Sequence, residues 1–373
     1  MLARDYLDFS SFSNDFDRIA GDVTKVLGQI LYEPMVEVAE IGKVLESKKF
    51  LTLVEKFHEY NETFTVKRGG KRIRPYIFIK SYQAVGGENL DAILPASTCV
   101  ELVHNFTLIH DDIQDKDEIR SDMPTVRKMW SDLFKKEGYK EDLFYEQGDN
   151  IAINAGNYLG EIAYDVLLSS NFPENLKNKA AIILTKKVRN ITGGQNLDLW
   201  FENDQKITTK DYVAMVDLKT GSLFEASSLA GVILGNANEQ TQRCLEQWSR
   251  LVGRRFQIHD DLIELNIQGV KGKPIGRDIV EGKITFPVIA TRELGSKKEI
   301  KKLNKALGKR KASTDQIKEA IEAIQDSGAV ELCNKEKNQC LENAIPYLKV
   351  SELTPSYEHQ LYDFSIWVGK RSS

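Results

Sequence analysis

The sequence predicts an all-α protein folded as one domain, and three observations carry that reading. Apolar residues recur at i, i+3, i+4 and i+7 through most of the 373 residues, the spacing of helices that bury one stripe. No convincing series of alternating strands interrupts the pattern. No internal repeat of roughly 20 to 50 residues and no low-complexity linker divides the chain.

In chain order, residues 14–60 carry the first helical pattern, with Ile19, Val23, Val26, Leu27, Ile30 and Leu31 followed by Val36, Val38, Ile41, Val44 and Leu45. Arg68-Gly69-Gly70-Lys71-Arg72-Ile73-Arg74-Pro75 punctuates it. The two glycines permit a turn or a close approach to a ligand, and Pro75 suits the first turn of a following helix. A helix then runs to Asp115, with Cys99, Leu102, Val103, Phe106, Ile109 and Ile113 on its apolar stripe. The polar stretch 116–125 follows, and residues 131–147 lack clean periodicity and read as a surface excursion. Helical pattern resumes from Asn150 to Leu168 and again from Ala180 to Ile191. Gly193-Gly194 inside a helical stretch costs about 1 kcal/mol per glycine relative to alanine, which implies close packing or a kink against a ligand. Tyr212 to Leu234 is an apolar helix interrupted by Lys219-Thr220-Gly221, and a helix from about Thr241 ends in Asp260-Asp261-Leu262-Ile263-Glu264. The Gly- and Lys-rich segment 271–287 reads as a loop able to close over an anion. The basic stretch 297–311 reads as a solvated hinge or helix face, and Asp315 to Leu348 is amphipathic helix broken at Ser327-Gly328.

Composition narrows the function classes. Hydrophobic residues make up 41% of the chain and the net charge is −4, so no general attraction to nucleic acid or to an anionic membrane is expected. Any anion must be bound by a local cluster. The cysteines at 99, 244, 333 and 340 lack Cys-x-x-Cys spacing, which argues against structural zinc and for a reducing compartment. The acidic N-terminus has no secretory or transit pattern, and no apolar run approaches the roughly 20 residues that span a bilayer. The expectation is a soluble cytoplasmic protein.

The chemistry lies at the helix ends. Asp111 and Asp115 are one turn apart on one face, and His104 lies two turns earlier on roughly that face. Such a pair suits a hard divalent cation such as magnesium, which keeps several waters and completes its shell with substrate phosphate. An isolated Asp-Asp-x-x-Asp string is more often a solvated helix end; its repetition at Asp260, Asp261 and Glu264 favours the metal reading. Lys71 and Arg74 are spaced to converge on one anion as a diphosphate clamp, with a solvated basic loop as the alternative.

Taken together, Gly69-Gly70-Lys71-Arg72-Ile73-Arg74-Pro75, Asp111-Asp112-Ile113-Gln114-Asp115, Lys219-Thr220-Gly221, Gln257-Ile258-His259-Asp260-Asp261, and Asp278 with Glu281-Gly282-Lys283 resemble the trans-isoprenyl diphosphate synthases from about residue 65 to 330. The resemblance implies a single helical bundle around a deep central cavity, a homodimer, and three magnesium ions held between two aspartate-rich motifs. It assigns metal roles to Asp111, Asp115 and Asp260, with Asp112, Asp261 and Glu264 supporting. Lys71, Arg74 and His104 match isopentenyl diphosphate ligands. Arg120, Lys219, Thr220, Gln257, Lys273 and Lys283 match contacts to the allylic diphosphate. The implied catalytic set is Asp111, Asp115, Asp260, Lys219 and Lys283.

Three departures stand out. Ser121 and Asp122 follow Arg120 where the family usually has Arg-Gly, so the arginine expected on the isopentenyl diphosphate is missing. Glu264 replaces the usual aspartate, and stretch 131–147 is longer than usual. Phe106 and Thr107 occupy the positions that set product length; Phe106 lies about 7.5 Å along the helix axis from Asp111. As a product floor it favours geranylgeranyl diphosphate, then farnesyl diphosphate; as a core phenylalanine it has no such role. A non-catalytic partner subunit and a terpene cyclase are the competing functions. The intact first motif disfavours the subunit, and the basic half-site disfavours the cyclase.

Overall fold

The computed structural model describes residues 9–202, 204, 206–265, 276–350 and 352–371. Among the described residues the chain is helical throughout, apart from one short hairpin, Ile119–Arg120 paired antiparallel with Met123–Pro124. The all-α expectation therefore holds. Where a single domain is expected, contacts divide the chain into two compact units. The first comprises residues up to Gln83, then Gly87–Ile182 and Ile233–Asn236; the second comprises Ala84–Gly86, Ile183–Val232 and residues from Ala237 on.

The first unit begins with α1 (Phe9–Val44) and α2 (Lys48–Glu62), the latter continuing into a π turn at Thr63–Lys67. Phe12, Phe16, Ile19, Val23, Leu27, Leu31 and Met35 are buried at helical spacing, whereas Val36, Val38, Ile41 and Val44 are exposed. The periodicity of the sequence thus reports burial only for about the first three quarters of α1. After α3 (Ile73–Ala84) comes α4 (Leu90–Gln114), whose Asn89 cap accepts the Ala92 amide at 3.1 Å. From Ala92 to Val103 this helix is buried on nearly all sides, with Glu101 and Asn105 among the buried residues. It is a core helix rather than one burying a single stripe. By length and composition α4 could cross a bilayer, contrary to the reading that no apolar run comes near that length; 67% of its apolar window is buried inside the fold.

Residues 131–147 are not an excursion. They close α5 (Val126–Lys136) and open α6 (Glu141–Ser169), separated by a turn at Gly138, whose φ is +85°. Trp130, fully buried, anchors α5. Further along, α6 buries glycine and alanine at Gly148, Ala152, Ala155 and Gly156. These small residues let α6 approach α5 and α4 closely: a Cβ at Gly148 would lie 2.1 Å from Ser131 Oγ, and one at Gly156 would lie 2.5 Å from His110 Nε2.

In the second unit, α8 (Thr209–Val216), a π turn (Asp217–Gly221) and α9 (Ser222–Leu234) form one continuous helical run. Here α10 (Glu239–Ile263) packs on α15 (Ala329–Lys349), and the core gathers Tyr212, Ile258, Phe286, Ile289, Leu303, Ile321 and Cys333. The break at Ser327-Gly328 falls between α14 (Thr314–Asp326) and α15, with Gly328 at φ +81°. The paired glycines of α7 (Glu174–Phe201) divide in role. A Cβ at Gly194 would sit 2.3 Å from the Lys219 amide nitrogen, whereas Gly193 has nothing within 4 Å.

Candidate active site

In the first unit the π turn delivers Arg68, after which Gly69 and Gly70 take φ of +73° and +144° and the chain turns into α3. The four basic residues of this loop have different surroundings. Arg72 is fully buried, paired with Glu101 at 2.7 Å and donating to Thr24 Oγ1 and the Thr65 carbonyl. It holds the fold together and does not face a ligand. Lys71 and Arg74 are half-buried. His104, on α4, is pulled well below the ordinary histidine range by burial, then by the charges of Arg74, Arg68, Arg120 and Arg72. That direction favours the neutral imidazole, which stands inside a strongly positive field.

Two turns further along α4 come the carboxylates. The Asp115 amide donates to the Asp111 carbonyl at 2.9 Å, which fixes the i, i+4 register that the sequence implies. Negative side chains at a helix C-terminus oppose the helix dipole, so this end needs cations. Arg120 supplies one, with Nε on Asp112 at 2.6 Å and Nη2 on Asp111 at 3.3 Å. Ser121 and Asp122 form the two-residue turn of the hairpin, with φ of +51° and +62°, as a type I′ turn requires. That geometry positions Arg120 beside the acidic end and leaves Ser121 exposed. Asp112 is 1% exposed, its Oδ2 has no hydrogen-bond partner, and burial pushes its carboxyl up to about 7 against the pull of Arg120. Phe106 meets His110 edge to face at 4.8 Å and lies against Gly160, whose Cβ would fall 3.6 Å from its ring. Thr107 Oγ1 is bonded to the His104 carbonyl.

In the second unit, Lys219 and Thr220 sit in the Asp217–Gly221 π turn. Lys219 is paired with Asp198 at 2.6 Å, and Arg254 grips Asp217 with both Nε and Nη2. Thr220 donates to Gln257 Oε1 at 2.9 Å, and Gln257 donates to Asp261 at 3.0 Å. Asp261 also accepts the Tyr212 hydroxyl at 2.6 Å and the Phe286 amide at 3.0 Å, and burial pushes its carboxyl up to about 6. Asp261 is therefore a buried anchor linking α8, α10 and α12 (Phe286–Leu294), a different task from the supporting metal role that the resemblance implies. Asp260 is half-exposed and ion-paired with Arg371, whose guanidinium lies 3.9 Å over the Phe256 ring. His259 Nε2 donates to the Arg371 carbonyl at 2.7 Å, and burial holds its pKa down to about 4. Glu264 is the C-cap of α10. Lys283 pairs with Glu202 at 3.1 Å, beside α11 (Arg277–Glu281), which carries Asp278. Lys273 lies outside the described residues.

Among the described residues no three of His, Cys, Asp and Glu converge as a closed metal cluster. Magnesium does not require one, because it takes one or two carboxylates and fills its shell with water and phosphate. The residues present fit it: hard oxygen donors one turn apart at Asp111 and Asp115, and an orphaned buried oxygen on Asp112 between them.

Sequence reasoning missed two cations. Arg371 lies at the C-terminal end with no motif around it, and its link to Asp260 depends on how the segment after α16 (Pro355–Trp367) returns to α10. Arg68 was visible only as one charge in a basic loop.

The family profile for polyprenyl synthetases matches residues 55–324. The geranylgeranyl diphosphate synthase of Methanosarcina mazei is 37% identical over 270 residues, 72% of this chain and 76% of that one. The geranylfarnesyl diphosphate synthase of Aeropyrum pernix is 32% identical over 284 residues, 75% and 83% of the two chains. The crystal structure of a geranylgeranyl pyrophosphate synthase from Corynebacterium glutamicum, complexed with isoprenyl diphosphate and magnesium, superposes with a TM-score of 0.86 at 25% identity over 95% of this chain and 99% of that one.

Proposed function

The chain belongs to the polyprenyl synthetase family, and we propose that the residues described above carry out prenyl transfer from an allylic diphosphate to isopentenyl diphosphate. The product is a short-chain trans-prenyl diphosphate, mainly geranylgeranyl diphosphate. The observation that carries the reading is the end of α4. There, a neutral His104 within the field of four arginines stands two turns before the carboxylates Asp111, Asp112 and Asp115. A positive cluster suits a diphosphate, and an acidic helix end suits the cation that travels with one.

Asp111 and Asp115 at the first acidic end and Asp260 at the second are the residues we assign to magnesium. When bound, it would neutralise the departing diphosphate as a Lewis acid. Lys71, Arg74 and His104 bind isopentenyl diphosphate, with His104 donating a hydrogen bond without adding charge. Arg120, oriented by Asp112, and Lys219, oriented by Asp198, stabilise charge on the allylic diphosphate as the carbon–oxygen bond breaks. Thr220 and Gln257 are fixed by the hydrogen-bond line that ends on Asp261. The ring of Phe106 gives the allylic cation an apolar wall and limits its growth. The reading includes a homodimer, and a cytoplasmic location supported by four buried, free cysteines.

The test is incubation of the purified protein with isopentenyl diphosphate and dimethylallyl, geranyl or farnesyl diphosphate, with and without magnesium, followed by sizing of the products. Magnesium-dependent extension to a twenty-carbon diphosphate is the expected result. Inertness without a partner chain would replace this reading with that of a subunit, and cyclic hydrocarbon would replace it with that of a cyclase.

A further inference from the structure

Among the described residues, a half-buried arginine beside the basic loop pairs with no carboxylate. Arg68 donates from Nε to the Phe64 carbonyl at 3.0 Å and from Nη2 to Asn105 Oδ1 at 3.0 Å, and its guanidinium lies 4.2 Å over the Phe64 ring. All three partners are neutral. The acids near enough to act on its charge, Asp112 and Glu101, are each gripped by another arginine, Arg120 and Arg72. A guanidinium removed from water is costly unless an anion compensates it, and a protein that wanted only structure there could use an apolar side chain.

Its placement says which anion. Asn105 is fully buried and itself braced by the Glu101 carbonyl, and it follows His104 directly on α4. Arg68 is thus held one residue from His104, immediately before the glycine turn that carries Lys71, and it adds to the same positive field as Arg74. Arg120 pairs with Asp111 and Asp112, Arg72 pairs with Glu101, and Ser121 offers only a hydroxyl in an exposed turn. We propose that Arg68 is a further substrate-binding residue of this chain, placing a guanidinium on the diphosphate of isopentenyl diphosphate alongside Lys71, Arg74 and His104. The proposal rests on the prenyl-transfer reading given above and names a residue that reading does not use. Desolvation and the neighbouring arginines already pull the Arg68 pKa down to about 10, the direction expected of a cation that lacks its counter-charge.

The experiment compares wild type, Arg68→Met and Arg68→Lys by steady-state kinetics with each substrate varied, by thermal melting, and by calorimetric titration with isopentenyl diphosphate. Loss of one charge-assisted contact predicts a KM and a Kd for isopentenyl diphosphate raised about ten- to hundred-fold in Arg68→Met. The KM for the allylic diphosphate should stay within about two-fold, with partial recovery in Arg68→Lys. Unchanged isopentenyl diphosphate binding in a well-folded Arg68→Met overturns the proposal. So does an equal rise for both substrates accompanied by a lower melting temperature, which marks a structural arginine. If wild type makes no prenyl product, it is the functional reading that fails, and the titration alone then decides on Arg68: weaker binding by Arg68→Met upholds the contact, and equal binding removes it.

Discussion

The two adjacent glycines of α7 should respond to alanine with opposite signs. At Gly193 a methyl meets nothing within 4 Å, so Gly193→Ala gains only helix propensity and should stabilise by about 1 kcal/mol. At Gly194 the same methyl would lie 2.3 Å from the Lys219 nitrogen, 2.7 Å from its Cα and 2.8 Å from the Leu218 carbonyl carbon. These are backbone atoms, so no rotamer change relieves the clash, and either α7 or the Asp217–Gly221 turn must move. Overpacking of this kind costs about 1–3 kcal/mol, occasionally more, against a propensity gain of about 1 kcal/mol, which leaves a net loss of up to about 2 kcal/mol. Because the displaced turn carries Lys219 and Thr220, kcat should fall together with stability in Gly194→Ala and in neither respect in Gly193→Ala. Urea titration followed by circular dichroism, with turnover measured on the same samples, reads both effects. A Gly194→Ala protein as stable and as active as Gly193→Ala would show that the two helical runs are not packed as described.

Three other expectations concern separate parts of the molecule. Phe106→Ala removes the ring packed on Gly160 and should shift products to longer prenyl diphosphates; an unchanged product ladder would leave Phe106 as packing alone. Tyr212→Phe leaves the buried Asp261 carboxylate one donor short and should cost about 1–3 kcal/mol by denaturant titration, whereas a neutral result would mean that water replaces the hydroxyl. His259, with its pKa held down to about 4, stays neutral in the fold while the unfolded chain protonates near 6.5. Stability present above that pH should therefore be lost as pH falls towards 4, by about 1–2 kcal/mol once the half-exposed position is allowed for. The melting temperature of metal-free wild type should fall relative to that of His259→Gln across that range, and parallel curves would assign the acid sensitivity elsewhere.

What could be read from the sequence follows from how local each signal is. The carboxylates at the ends of α4 and α10 were legible because i, i+4 spacing is a property of the helix itself, and the structure keeps that register at Asp111 and Asp115. The Ser327-Gly328 break was legible for the same reason. By contrast α5 and the start of α6 were hidden, since only a short piece of each falls within 131–147 and the turn at Gly138 breaks the spacing between them. The separate tasks of Asp260 and Asp261 were hidden too. Adjacent residues on a helix point about 100° apart, and only the positions of Tyr212 and Phe286 reveal which of the two is turned inward. Cations such as Arg371 are set by chain return over more than a hundred residues, which no local pattern encodes.

The π turns at Thr63–Lys67 and Asp217–Gly221 bear on how the chain tolerates length changes. A π turn accommodates one residue more than regular α-helix would. Deleting one residue from Asp217–Gly221 would let α8 and α9 fuse into uniform helix while keeping every hydrogen bond in the run. Because five residues in the wider turn cover about the same rotation as four in regular helix, α9 would keep its phase, and buried Phe224 and Glu225 would stay in register with their neighbours. Shortening at this point is therefore a length change that the run can absorb, and its cost falls on the widened turn itself, which carries Lys219 and Thr220.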